Sequence, residues 1–169
     1  LSPNRTTDRA TQLAIGLYVA YNIAATAVSL AAGHHSDRRG ANRTFLYGIA
    51  AFAVAYTAFA VGPSSIAFLA VAFALAGVGI GIAETAEHAA VASLAPEELR
   101  GSSFGLLAAL QSAGNLAASS IAGILYTTVG PGWAFGFLAA MMVTAVVACA
   151  TTNRGTTSNS SSIGVGGSR

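Results

Sequence analysis

Glu84, Glu87 and His88 are the residues of this chain best suited to handle a proton or a cationic solute. Two carboxylates and an imidazole at i, i+3 and i+4 fall within a ~100° arc, so one helix would present them on one face. Their surroundings are apolar, because the stretch 65–94 holds no other charged residue. An ionised group in mid-bilayer costs ~2.5–3.5 kcal/mol on insertion scales, so such residues need a purpose. One use is functional, with Glu84 carrying a proton or pairing with a cationic substrate. Another is structural, with Glu84 and Glu87 bonded to backbone or to an arginine elsewhere, and His88 filling a helix contact. A metal site is not expected. The zinc-protease pattern needs two histidines one turn apart, and Glu84 stands where one would be.

Three amides join this group by depth. Glu84 lies twelve residues before Pro96, Gln111 eleven after Arg100, and Asn22 eleven before Gly33. At 1.5 Å per residue each sits ~17 Å from its turn, near the midplane of a bilayer. Asn115 is one turn further out and His88 one turn nearer. Asn22, Glu84, His88, Gln111 and Asn115 are therefore the candidate substrate and proton pathway. The bland alternative for the amides is hydrogen bonding between membrane helices.

The elements that must position them follow from composition. Only 8% of the 169 residues are charged and 54% are hydrophobic, against ~25% charged in a soluble domain. The mean hydropathy is +0.63. The bilayer is the solvent that fits. Five stretches approach the ~20 apolar residues of a spanning helix: 11–32, 44–61, 65–94, 102–129 and 132–150. The fold class is thus all-α integral membrane, a bundle of five transmembrane helices. Residues 1–10 would form a polar extracytoplasmic segment. The Gly/Ser/Thr-rich tail, 152–169, is expected to be a disordered cytoplasmic segment.

All eight basic residues are arginines. Together with the Ala and Gly content, that suggests a bacterial source. Arg38, Arg39 and Arg43 occupy the first connector, Arg100 the third and Arg154 the tail, whereas the two intervening turns have none. The positive-inside rule then puts the C-terminus in the cytoplasm, with Arg5 and Arg9 a mild violation. Arginines so dispersed form no basic stripe, so nucleic acid is not an expected partner despite a pI near 9.0. Cys149, the one cysteine, lies in an apolar run and is expected to be inert packing. Gly77-x-Gly79-x-Gly81 has no preceding strand and is no dinucleotide fingerprint; it suits close helix approach or a bend. Gly77-x-x-x-Gly81, Gly101-x-x-x-Gly105 and Gly132-x-x-x-Gly136 share the spacing of close contacts.

The connector Gly33-x-x-x-Asp37-Arg38-x-Gly40-x-x-Arg43 resembles the cytoplasmic loop signature of the major facilitator superfamily, although Ala41 and Asn42 stand where the full signature has basic residues. Here Gly33 and Gly40 would permit a sharp reversal, Arg38 and Arg43 would anchor at headgroups, and Asp37 would lock onto a helix N-terminus or an arginine. A generic basic hairpin loop is the plainer alternative. Residues 84–105 are similar to the region joining the tenth and eleventh spans of bacterial members, with Pro96, Glu97, Glu98, Arg100 and Gly101 at the turn. The gate loop would comprise Gly33, Asp37, Arg38, Gly40, Arg43, Glu97 and Arg100.

The resemblance implies the C-terminal half of a twelve-helix carrier, spans eight to twelve, with the N-terminal half missing. Spans two to six are the competing placement. Against it, the fourth span here lacks the Gly-Pro-x-x-Gly-Gly stretch of antiporters, and the third lacks a common arginine. The implied activity is secondary active transport of a small solute across a bacterial inner membrane, as symporter or antiporter, with protons as the expected coupling ion. Neither a cofactor nor an enzymatic reaction is implied. If the five spans were a complete product, a membrane assembly or regulatory subunit, or an inactive transporter remnant, would be the alternative.

Overall fold

The computed structural model describes the backbone of residues 3–62 and 65–162, and the side chains of 8–62 and 65–151. It is all-helical: α1 (Pro3–Arg39), α2 (Ala41–Val61), α3 (Ile66–Leu94), a 3-10 turn (Glu97–Leu99), α4 (Arg100–Thr128) and α5 (Pro131–Ser162). Four stretches, Asp8–Arg39, Ala41–Val61, Ile66–Leu94 and Pro131–Thr151, are long and apolar enough to cross a membrane. The 29-residue α4 has the length but is diluted by serines, glycines, Gln111 and Asn115.

Both outer boundaries differ from expectation. The connector 33–43 is not a loop, because α1 continues through Arg39 and reverses on the single residue Gly40. His34, His35, Ser36, Asp37, Arg38 and Arg39 include neither proline nor glycine, so nothing stops the helix until Gly40, and Arg38 and Arg39 suit its negative end. The first ten residues likewise join α1 from Pro3, a residue favoured at a helix start. The tail expected to be disordered is helical as far as Ser162, since it contains no proline to end the ladder. Residues 163–169 lie outside the described residues.

Gly40 makes the reversal with φ 90° and ψ 147°, a region essentially closed to side chains. Its N–H donates to the Ser36 carbonyl at 2.8 Å, and its own carbonyl accepts from the Thr44 hydroxyl at 3.1 Å. A Cβ at Gly40 would meet nothing within 4 Å, so the demand is one of backbone alone. Gly40→Ala is therefore expected to cost about 1–3 kcal/mol. Gly101→Ala, in open space within α4, should be neutral or stabilising. Thermal melts of the two purified variants in detergent check this; equal melting points would refute it.

α3 is the hub. It packs against α1 on one side and α2 on the other, while α2 also packs heavily against α5. Gly77 and Gly81 meet the backbone carbonyls of Tyr21 and Ala25 on α1, so these two helices run parallel with matched register. On the other flank Gly79 faces Phe52, and Gly48 of α2 faces the backbone of Ala83, an antiparallel pairing. Such small-residue contacts give van der Waals attraction where lipid removes the hydrophobic drive for helices to associate. Away from the arginine-rich end, Phe59 of α2 touches Phe73 of α3 and Phe135 of α5, at centroid distances of 5.1 and 5.2 Å. By contrast, no residue of α4 is buried, and that helix touches α5 and a short length of α3.

Candidate functional site

The ionisable face of α3 points toward α4 and α1. Glu87 accepts a 2.5 Å hydrogen bond from the Gln111 side-chain amide of α4. The next residue, His88, lies against Phe104 of α4, ring centroids 5.7 Å apart and 26° from parallel. The His88 Nδ1–H donates to the Glu84 backbone carbonyl at 2.7 Å, which leaves Nε2 as the ring's acceptor. These two contacts tie α3 to α4 across a pair of helices that otherwise barely meet. Beyond them the helices diverge. Asn115, on the same face of α4 as Gln111, is exposed.

Glu84 is exposed too, and its carboxylate has no hydrogen-bond or ion-pair partner among the described residues. Tyr21 of α1 stacks with Tyr18, centroids 6.3 Å apart. Tyr18, Asn22 and Thr26, spaced at i, i+4 and i+8, line a largely apolar groove of about 530 Å³ along α1 together with Val19, Ile23 and Ala27. The Asn22 amide donates to the Tyr18 carbonyl at 2.8 Å, and the Thr26 hydroxyl donates to the Asn22 carbonyl at 2.9 Å.

The expected belt is therefore only partly assembled. Gln111 does meet the α3 carboxylates, through Glu87 rather than Glu84. Asn22 lies at another level. Its neighbour Tyr21 packs on Gly77, two turns from Glu84. The chain turns at Gly40 rather than at Gly33, which sets Asn22 deeper than its distance from Gly33 implies. Asn22 stands eighteen residues before that turn, or ~27 Å along a straight helix. Glu87 and Tyr21 are the positions that depth counting missed, although the Glu84-x-x-Glu87 spacing already put Glu87 on the right face.

The gate-loop residues are separated in the same way. Gly33 is inside α1 beside Thr85 of α3, 3.8 Å from its methyl to a Cβ placed on the glycine. Asp37, expected to lock onto a helix N-terminus or an arginine, is exposed and has no ion pair among the described residues. Continuation of α1 turns it outward. Glu97 and Glu98 occupy the first turn of the 3-10 segment behind Pro96; Arg38, Arg43 and Arg100 are exposed. Among the described residues no group of three or more His, Cys, Asp or Glu side chains could hold a metal ion.

Glu87→Ala removes the acceptor of the side-chain hydrogen bond that joins α3 and α4 among the described residues. Hydrogen bonds between membrane helices average ~0.6 kcal/mol and reach ~1.7, so a small destabilisation is expected. Gln111→Ala should produce a similar change and the double variant no more than either single. A double-mutant cycle on unfolding in detergent reads this, and additive losses would mean the pair is not coupled.

Long apolar helices joined by one- to few-residue turns are the build of a multi-pass membrane protein. The sequence pattern of the Major Facilitator Superfamily matches residues 6–165, and the chain belongs to that family of small-molecule transporters rather than enzymes. No curated protein and no solved structure matches the chain.

Proposed function

We propose that the chain forms spans eight to twelve of a proton-coupled secondary carrier that moves a small solute by alternating access. The observation that carries this reading is Glu84. A carboxylate unpartnered among the described residues and set in an apolar helix favours a group that binds and releases a cation. Gln111, bonded to Glu87, and Asn115 add amides on α4, while Tyr18, Asn22 and Thr26 lie on α1 at another level. His88, held by the Glu84 carbonyl and Phe104, positions the α3 face nearest the arginine-rich end. In this reading that end is cytoplasmic, the membrane is a bacterial inner membrane, and an N-terminal half closes the pathway, with the two halves rocking about the midplane.

The test begins with the reading frame upstream of Leu1, where seven further apolar spans are expected. The full carrier would then be reconstituted in liposomes with an imposed pH gradient and offered labelled sugars, sugar acids and cationic drugs. Accumulation that collapses with a protonophore supports the reading. An in-frame stop close upstream, with no partner half encoded alongside, would sink it. Symport and antiport are separated by the gradient direction that drives accumulation.

A further inference from the structure

At the arginine-rich end a cavity of about 340 Å³ opens between the C-terminal ends of α1 and α3 and the start of α2. Arg39 and Arg43 line it, and neither has an ion-pair partner among the described residues. No carboxylate lines it; Asp37, two residues back on α1, is outside. Asn42 adds a side-chain amide. Ser93 is present, but its hydroxyl already donates to the Ala90 carbonyl at 2.9 Å. Gly40 offers α2 no side-chain cap, and the first turn of that helix holds no acidic residue. The cavity thus gathers two guanidinium groups and the positive start of α2 with no carboxylate among them, and the carbonyl ends of α1 and α3 offset only part of that charge. That chemistry fits a phosphate, whose oxygens match the planar fork of a guanidinium.

The position selects the source of the phosphate. The cavity lies at the ends of α1 and α3, helices long and apolar enough to cross a membrane, so in a bilayer it would fall near the headgroups. Its remaining wall includes Ala90 and Leu94, and Leu94 is 83% exposed. A phosphate covalently joined to acyl chains satisfies both walls; a free phosphate satisfies only the polar one.

We propose that this cavity binds the headgroup phosphate of an anionic phospholipid, held between Arg39 and Arg43 with Asn42 as a third donor and the acyl side against Leu94. The site is independent of the transport reading and would remain if that reading failed.

The probe is phosphatidylglycerol added to the purified full chain in detergent, with retained lipid counted by native mass spectrometry. A hydrogen bond to a charged group is worth about tenfold or more in affinity. The double change Arg39→Gln/Arg43→Gln is therefore expected to weaken retention about a hundredfold. Arg38→Gln/Arg100→Gln, at the same end but outside the cavity, should have a much smaller effect. Circular dichroism establishes that each variant stays helical. Equal losses from both pairs would mean diffuse charge attraction and overturn the site. A second measurement needs no variant: the unaltered chain should prefer phosphatidylglycerol over phosphatidylcholine, and millimolar inorganic phosphate should not displace it. Equal retention of the two lipids, or displacement by inorganic phosphate, would overturn the assignment to an anionic lipid.

Discussion

Gly81→Leu is expected to abolish accumulation of folded protein in the membrane, and Gly77→Leu to do the same. A Cβ at Gly81 would overlap the Ala25 carbonyl oxygen and come within 2.8 Å of Val28 Cγ1. At Gly77 it would overlap the Tyr21 carbonyl oxygen and sit 3.1 Å from the Ala24 Cβ. The obstacles are backbone atoms of α1, which have no rotamer to escape into, so the helices must separate. Overpacking a tight core costs about 1–3 kcal/mol, and separating the helices forfeits the packing that holds them together in lipid. Each substitution would thus remove a large part of a stability that totals about 5–15 kcal/mol. Alanine at either site should give a graded intermediate. Gly114→Leu supplies the comparison, because a Cβ there would meet nothing within 4 Å. Membrane yield and melting temperature in detergent decide it; if Gly81→Leu and Gly114→Leu behave alike, the α1–α3 crossing is not as close as described.

The same glycines show how much of the fold was legible. Hydropathy placed all five helices in order, because lipid demands long uninterrupted apolar runs. The spacing Gly77-x-x-x-Gly81 correctly marked a close contact. Identical spacing at Gly101-x-x-x-Gly105 marked nothing, since both of those glycines face open space. A small residue permits approach but does not summon a neighbour. The contacts of Gly48 with Ala83 and of Gly79 with Phe52 depend on which helix lies alongside, and a one-dimensional pattern does not hold that information. Helix ends were misjudged for a related reason. Charge and polarity mark where the membrane stops, whereas backbone hydrogen bonding carries α1 on to Gly40 and α5 to Ser162. The seven-residue shift of the turn from Gly33 to Gly40 moved Asn22 out of the expected belt. Glu87 and Gln111 came together because their turn, built on Pro96 and the 3-10 segment, was located correctly.

Glu84→Gln is expected to reduce gradient-driven uptake by the full carrier to the passive level while leaving the amount of folded protein unchanged. Glutamine keeps the shape and hydrogen-bonding reach of glutamate and deletes only its charge and its exchangeable proton. Two roles for Glu84 therefore part company at this one substitution. If the carboxylate were paired with an arginine of the opposite half, its loss would strand a cation in low dielectric, and breaking such a pair costs ~3–5 kcal/mol. Protein yield would fall with activity. If instead it carries the coupling proton, folding is indifferent or improves, because an ion has been withdrawn from the membrane. Coupling free energies between sites run about 1–3 kcal/mol, or 5–150-fold, enough for accumulation to vanish when coupling is lost. Solute exchange without a gradient should then persist, since binding does not require the proton. Glu87→Gln serves as the internal comparison. Glu87 lies on the same helix face but already engages Gln111, and a glutamine there still offers an oxygen to that amide. It should retain most of the uptake. Uptake that survives Glu84→Gln and disappears with Glu87→Gln would move the proton-carrying role to the α3–α4 contact.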